Sequence, residues 1–100
     1  MKKVQPGHFT LSKEQRHFKE LLQRYPRFVS YWDFDNRTCE LEAVERDIGV
    51  MSSGEQIMLR FFVAVWLHDN GKFDFIDAAR SLDTPDRQVI IDWLSNPVLP

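Results

Sequence analysis

The chain has 100 residues, of which 43% are hydrophobic and 28% charged, a composition that predicts one folded domain with loose termini at 1–10 and 96–100 and excludes a disordered protein. The net charge of −2 is uneven, because residues 1–37 hold eight Lys and Arg against four Asp and Glu, whereas residues 38–100 hold five against eleven. We interpret this asymmetry as basic and acidic helices packed within one fold, with a charged partner as the alternative.

A first amphipathic helix is predicted from about Lys13 to Arg24. Ser12 and Gln15 have the spacing of a capping box, and Pro26 ends the helix. Its apolar face predicts core packing and is formed by Phe18, Leu21, Leu22 and Tyr25. The opposite face is basic and consists of Lys13, Arg16, Arg24 and Arg27, with Glu20 among them.

The next segment is ambiguous between helix and strand. Residues 28–34 are aromatic and fit either a short helix or a strand, and residues 35–36 can turn a hairpin whose return strand begins near Thr38. We favour a helix from about Cys39 to Asp47, in which Thr38 is the cap.

The segment Ser52–Gly71 predicts the central helix of a bundle. Its capping box pairs Ser52 with Glu55 or Ser53 with Gln56, and apolar residues cover most of its circumference. We therefore expect Trp66 to be buried at the centre, so that replacing it by alanine costs about 3–5 kcal/mol.

Two short helices complete the chain. Asp74 is the predicted cap of the first, Thr84 is the cap of the second with Pro85 at its first position, and Asn96 ends it. Together the segments predict an all-α, compact single-domain bundle of four to five short helices. The apolar residues expected to face the core of this bundle are Phe75, Ile76, Ala79, Leu82, Val89, Ile90, Trp93 and Leu94.

The two C-terminal helices, residues 74–95, resemble a helix-turn-helix unit. Ala79, Asp83 and Val89 have the matching spacing, although Asp83 stands where glycine is usual. Arg87 and Gln88 are then the candidate contacts with base edges. The segment is acidic on balance, which disfavours phosphate binding. We therefore expect the pair to complete the core and these two side chains to have no special task.

Two candidate binding surfaces follow from the residue types. The favoured one serves a small non-enzymatic interaction module whose partner is another protein or a second copy, and it uses residue types that are enriched at interfaces. Its members are Arg24, Tyr25, Arg27, Phe28, Tyr31 and Trp32. The alternative is a nucleic-acid-binding protein that uses the basic face of the first helix or the C-terminal pair. Its contacts are Lys13, Arg16, Arg24, Arg27, Arg87 and Gln88.

The sequence predicts no catalytic residues, no cofactor and no metal site. The three histidines are scattered, and no zinc pattern or phosphate-binding glycine loop occurs. The single cysteine, Cys39, fits a reducing compartment. The longest apolar run, residues 61–67, is too short to span a bilayer, and no apolar run follows Lys2 and Lys3. A soluble, cytoplasmic protein without membrane association is expected.

Overall fold

The computed structural model describes residues 11–100, which form six α-helices and one short hairpin. This confirms the predicted all-α fold class and adds one four-residue helix and a small antiparallel sheet. In chain order the elements are α1 (Lys13–Leu22), α2 (Pro26–Val29), β1 (Trp32–Asp33), β2 (Thr38–Cys39), α3 (Leu41–Asp47), a 3₁₀ turn (Ile48–Val50), α4 (Ser53–Leu67), α5 (Phe75–Ser81) and α6 (Thr84–Ser95).

Side-chain caps define where the longer helices begin. Ser12 at α1 and Ser52 at α4 both form complete capping boxes, as their spacing predicts. Asp74 caps α5 by accepting a hydrogen bond from the backbone N–H of Asp77. At α6 the predicted cap is wrong by one residue, because the carboxylate of Asp83, and not Thr84, accepts from the backbone of the first turn.

The ambiguous segment contains both a hairpin and a helix. Trp32 pairs with Cys39 and Asp33 with Thr38, and the backbone N–H of Glu40 then donates to the carbonyl of Tyr31 at 2.7 Å. This last bond extends the pairing, so that the helix begins at Leu41 and not at Cys39. Thr38, the expected cap, lies in the return strand.

The core is built around α4, but its centre is one turn earlier than predicted. Phe62 is fully buried, whereas Trp66 is only half-buried. The ring of Trp66 packs at the edge of the core, against Phe18, Trp32 and Phe34. The prediction failed because α1, α2 and α6 pack against the middle of α4, and the hairpin only partly covers its last turn.

Ion pairs connect the basic first part of the chain with the acidic remainder. Arg24, in the turn that follows α1, contacts Asp92 in α6 at 3.0 Å, and Arg27 in α2 contacts Glu55 in α4 at 2.7 Å. These ion pairs agree with the interpretation that the uneven charge reflects basic and acidic segments packed against each other within one fold. They are exposed, so each contributes little to stability.

The C-terminal residues are held against the bundle and are not a loose end. Val98 is buried, and its carbonyl accepts a hydrogen bond from the indole N–H of Trp93 at 2.9 Å. The predicted loose terminus at 96–100 is therefore wrong at this position, because the indole needs an acceptor and the returning tail supplies it. The corresponding expectation for residues 1–10 lies outside the described residues.

The α4 cap gives a stability prediction. Ser52→Ala removes the acceptor of the Glu55 backbone N–H, a bond of 3.2 Å, and should lower the free energy of unfolding by about 1 kcal/mol. Urea denaturation measures the change. The neighbouring exposed Ser53 is the matched control, and its replacement by alanine should stay within about 0.5 kcal/mol. Equal effects of the two substitutions would show that the cap does not stabilise α4.

Candidate functional site

The aromatic surface expected from the sequence lies mostly inside the core. Phe28, Tyr31 and Trp32 are 0%, 8% and 7% exposed, because α2 and β1 place the rings of Phe28 and Trp32 against α4 and Tyr31 lies between these two elements. Phe28 contacts Phe62 with ring centroids 6.4 Å apart, and Trp32 contacts Trp66. The three aromatic side chains therefore form no accessible surface, and the structural support for this candidate interaction surface is lost.

The two tyrosines of that surface direct their hydroxyl groups to partly buried hydrogen bonds. The half-buried Tyr25 donates to Oδ1 of Asp86 at 2.5 Å, and Tyr31 donates to Oδ2 of Asp47 at 2.6 Å. Burial, followed by the bond to Asp86, raises the pKa of Tyr25. The bond to Asp47 raises the pKa of Tyr31. These contacts tie α6 to the start of α2, and α3 to the residue before β1, and sequence spacing gave no sign of either.

The basic face of α1 is largely engaged within the fold. Arg16 donates to the carbonyl of Leu11 at 2.9 Å, while Arg24 and Arg27 are paired with carboxylates of α6 and α4. Hydrogen bonds from Gln88 and then Arg24 hold the pKa of Asp92 below its usual range. Lys13 is exposed. The arginines that were to bind phosphate have internal partners.

The two C-terminal helices meet at residues 82–83, as the sequence predicts. Arg87 donates to the carbonyl of Leu82 and, at 3.0 Å, to the hydroxyl of Thr84. Gln88 donates to Asp92 at 2.9 Å. The expectation that these two side chains have no special task is therefore wrong for Arg87, which bonds to the carbonyl of Leu82, the C-cap residue of α5.

An apolar groove runs between α5 and α6. Its volume is about 130 Å³, and its accessible lining is apolar. Arg87 contributes to the lining at one end, since its stem lies along the groove while its guanidinium bonds to the α5–α6 connection. The residues that line the groove are Phe75, Ala78, Ala79, Leu82, Arg87, Ile90, Ile91 and Leu94.

Several apolar side chains at or beside this groove face solvent, and for Phe75, Ile76, Ala79 and Leu94 this contradicts the sequence-based expectation. Phe75 is 58% exposed, Ile76 is 63%, Ile91 is 49% and Leu94 is 53%. Ala79 between them is also exposed. We call these five residues the α5–α6 face.

The apolar residues of α6 spread over a wider arc of the helix than its contact with α4 requires. At about 100° per residue, Val89 and Trp93 share the side that packs on α4, and Ile91 lies about 160° away from Trp93. A helix that only covers a core has an apolar stripe of about 100°. The excess width was the sequence signal for a second apolar surface.

A wider groove adjoins the α5–α6 face. It has a volume of about 770 Å³ and lies between the end of α4, the following loop and the C-terminal tail. Phe75 lines both grooves, and the exposed Leu99 lines the wider one. The apolar surface therefore continues from α6 past Phe75 to the tail.

The charges beside the face are separated along α5. Asp74 and Asp77 stand at its N-terminal end, whereas Arg80 stands in its last turn and Arg87 follows in the first turns of α6. Arg80 contacts Asp77 at 3.4 Å in an exposed pair. Charges of both signs therefore border the face, and the carboxylates of Asp83 and Asp86 stand between Arg80 and Arg87 in the chain.

Residues 11–100 contain no group of three or more His, Cys, Asp or Glu side chains arranged to hold a metal ion. Within the same range no helix has the length and apolar character needed to cross a membrane. No protein-family model, curated protein or solved structure gives a significant match to this chain.

Proposed function

We propose that this protein is a small non-enzymatic interaction module that binds a macromolecular partner through the α5–α6 face. The observation that carries the proposal is the cluster of four large apolar side chains, each about half exposed or more, around a groove with an apolar lining. Exposed apolar side chains that are contiguous, rather than scattered singly, are typical of interaction sites.

The side chains of the α5–α6 face are available for binding because they are not needed to fill the core. The core-facing sides of α5 and α6 are already occupied by Ala78, Leu82, Val89 and Ile90, which are all buried. The exposed side chains contribute little packing within the monomer, yet each would gain from being removed from water. Grooves between two helices are a common way to bind an apolar side chain or an amphipathic helix of a partner.

Nucleic-acid binding has less support as an alternative proposal. It would require Arg24 and Arg27 to exchange their carboxylate partners for phosphates. In the C-terminal pair, Arg87 already bonds to the α5–α6 connection. The exposed side of this pair moreover combines four large apolar side chains with charges of both signs, whereas a surface that follows a nucleic-acid backbone is dominated by cations.

A cytoplasmic location forms part of the proposal. Cys39 is the only cysteine in the sequence, and burial, followed by the neighbouring Glu40, raises the pKa of its thiol to about 12. A thiol of such low acidity reacts slowly, because the thiolate is the reactive form. A single free thiol is compatible with a reducing compartment.

Affinity capture from a lysate of the source cells tests the proposed function. The tagged full-length chain should retain a partner that the Ile91→Asp variant loses, because a carboxylate in the middle of the face would have to be buried without a counter-ion. Circular dichroism establishes that the variant is folded. Val50→Asp is the matched control, since Val50 is 87% exposed and lines neither groove.

The control variant should capture the same partner as the unmodified chain. Capture of identical material by all three chains would show that the α5–α6 face does not bind. Retention of nucleic acid that depends on salt and survives Ile91→Asp would favour the alternative proposal.

A further inference from the structure

We propose that Asn70 is a site of spontaneous covalent modification, at which the backbone nitrogen of Gly71 displaces the side-chain amide and converts the residue to aspartate and isoaspartate. The reaction consumes only water, so it goes beyond the proposed function and needs no partner. Asn70 and Gly71 lie in the exposed connection between α4 and α5. Asparagine is one of the thermolabile residue types, and its surroundings decide how fast it reacts.

The three asparagines of the sequence differ in the features that this reaction requires. Asn96 is followed by proline, whose nitrogen has no hydrogen to give up. Asn36 is followed by arginine, and its own side-chain amide donates to Oδ2 of Asp33 at 2.7 Å. Asn70 is followed by glycine, and its side-chain amide forms no hydrogen bond within residues 11–100. Only at Asn70 do a free amide and an unhindered attacking nitrogen therefore come together.

The backbone at Gly71 leaves the attacking nitrogen accessible. The carbonyl of Asn70 accepts the N–H of Phe73 at 2.9 Å, so residues 70–73 form a tight turn. Within it Gly71 has a φ of +52°, which residues with a Cβ rarely adopt. Outside its own chain neighbours, the atom nearest to a Cβ built there is the backbone oxygen of Asp69, at 3.7 Å. No side chain of the turn therefore shields the nitrogen from that direction.

A carboxylate lies at the nitrogen that has to lose its proton. The backbone N–H of Gly71 donates to Oδ1 of Asp69 at 2.8 Å, within the reach that a general base requires. As the nitrogen bonds to Cγ of Asn70, an imide ring closes. The proton passes to Asp69 and then to the departing amide nitrogen, which leaves as ammonia when its bond to Cγ breaks.

Water then opens the imide ring in one of two ways. Cleavage of the bond between the Gly71 nitrogen and Cγ gives aspartate with the original backbone. Cleavage of the bond between this nitrogen and the backbone carbonyl carbon gives isoaspartate, in which the chain runs through the side chain of residue 70. In total one water is consumed and one ammonia is released, and no oxidant or reductant takes part.

The products change the connection between α4 and α5. Both add a negative charge to a segment that already contains Asp69 and Asp74. Isoaspartate also lengthens the backbone of the turn that precedes Phe73, whose half-buried ring packs against Phe61 with centroids 5.6 Å apart. The longer turn shifts this ring and, with it, the start of α5.

Peptide mapping by mass spectrometry tests the inference on the purified full-length chain, held at neutral pH and sampled over time. We expect aspartate and isoaspartate to accumulate at position 70 about tenfold or more faster than at positions 36 and 96, because only there is the attack unhindered. In water enriched in oxygen-18 the product peptide should carry the label. Absence of conversion at position 70, or equal conversion at position 36, overturns the inference.

Two variants separate the parts of the mechanism. Asn70→Gln is the matched control, since it keeps the amide but requires a larger ring, and conversion at position 70 should be lost. Asp69→Ser keeps an acceptor for the Gly71 N–H but removes the carboxylate, and conversion at Asn70 should slow by about tenfold. An unchanged rate in Asp69→Ser would overturn the role of Asp69 as base. Conversion of Asn70→Gln as fast as the unmodified chain would overturn the ring closure.

Discussion

Replacing Phe62 by alanine should lower the free energy of unfolding by about 3–5 kcal/mol. Phe62 is fully buried, and its ring contacts Phe18, Tyr25 and Phe28 at centroid separations of 5.7, 5.6 and 6.4 Å. The substitution leaves a cavity where α1 and α2 meet α4. A domain of this size has only about 5–15 kcal/mol in total, so urea denaturation should show a marginally stable protein or no cooperative transition.

Trp66→Ala is the matched comparison, since Trp66 is a larger aromatic residue one turn further along α4. Its ring is half-buried at the edge of the core, so the loss should be smaller, about 1–3 kcal/mol. A larger loss for Trp66 than for Phe62 would show that the hairpin side of α4, and not its middle, is the centre of the fold.

The order of helices could be predicted from the sequence because its signals are local. The capping boxes at Ser12 and Ser52 require only a hydroxyl and a carboxylate or amide three residues later, and both are present in the structure. Periodicity likewise identified α1 and α4, whose apolar residues recur over several turns. The errors at helix ends were of one or two residues, as at Asp83, where two adjacent side chains can both serve as caps.

The burial of side chains in the short helices could not be predicted, because it depends on which other elements pack against each helix. Phe75 and Leu94 have the same residue character as buried side chains, yet they face solvent. For Phe28 and Trp32 the prediction was wrong in the opposite sense, because these side chains were expected at the surface and are buried. The residue types that are enriched at interfaces are also common in protein cores. Periodicity gives the direction of a side chain relative to its own helix, and only the packing of helices decides which directions are covered.

The candidate site was missed for the same reason. Most apolar residues of α5 and α6 are predicted to face one core, with Ala78 and Ile91 unassigned, although the apolar sector of α6 is wider than one contact requires. The partners of Tyr25 and Tyr31 were beyond sequence reasoning, because Asp86 is 61 residues away from Tyr25 and Asp47 is 16 from Tyr31. Contacts between distant residues follow from topology, which no local pattern encodes.

Those two tyrosine–aspartate bonds lead to a prediction about alkaline stability. The pKa of Tyr25 is raised by burial and by Asp86, with a further contribution from Asp83 and an opposing one from Arg24. The pKa of Tyr31 is raised chiefly by its bond to Asp47. In the unfolded chain both phenols ionise near their ordinary value of 10.0, whereas in the native protein both ionise at higher pH.

The sign of the pH dependence follows from this difference. Below about pH 10 both states hold the phenolic protons, and the full stabilisation is present. Above it the unfolded state loses protons that the native state retains, so stability falls by up to about 1.4 kcal/mol per pH unit at Tyr25, and Tyr31 contributes with the same sign. Between about pH 10 and pH 12 Tyr25 alone should remove about 2–3 kcal/mol, a considerable part of the stability of a domain this small.

Near-ultraviolet absorbance and far-ultraviolet circular dichroism, followed through the same alkaline titration, measure the effect. Phenolate absorbance should rise only as the helical signal is lost, because ionisation and unfolding are linked.

Cys39, whose pKa burial raises to about 12, contributes a dependence of the same sign. Comparing the unmodified chain with Tyr25→Phe cancels this contribution, because both proteins contain the thiol. The variant should lose about 1.4 kcal/mol per pH unit of the dependence above pH 10. A phenolate signal that develops near pH 10 while the helices stay intact would mean that the two hydroxyl groups are not held by Asp86 and Asp47.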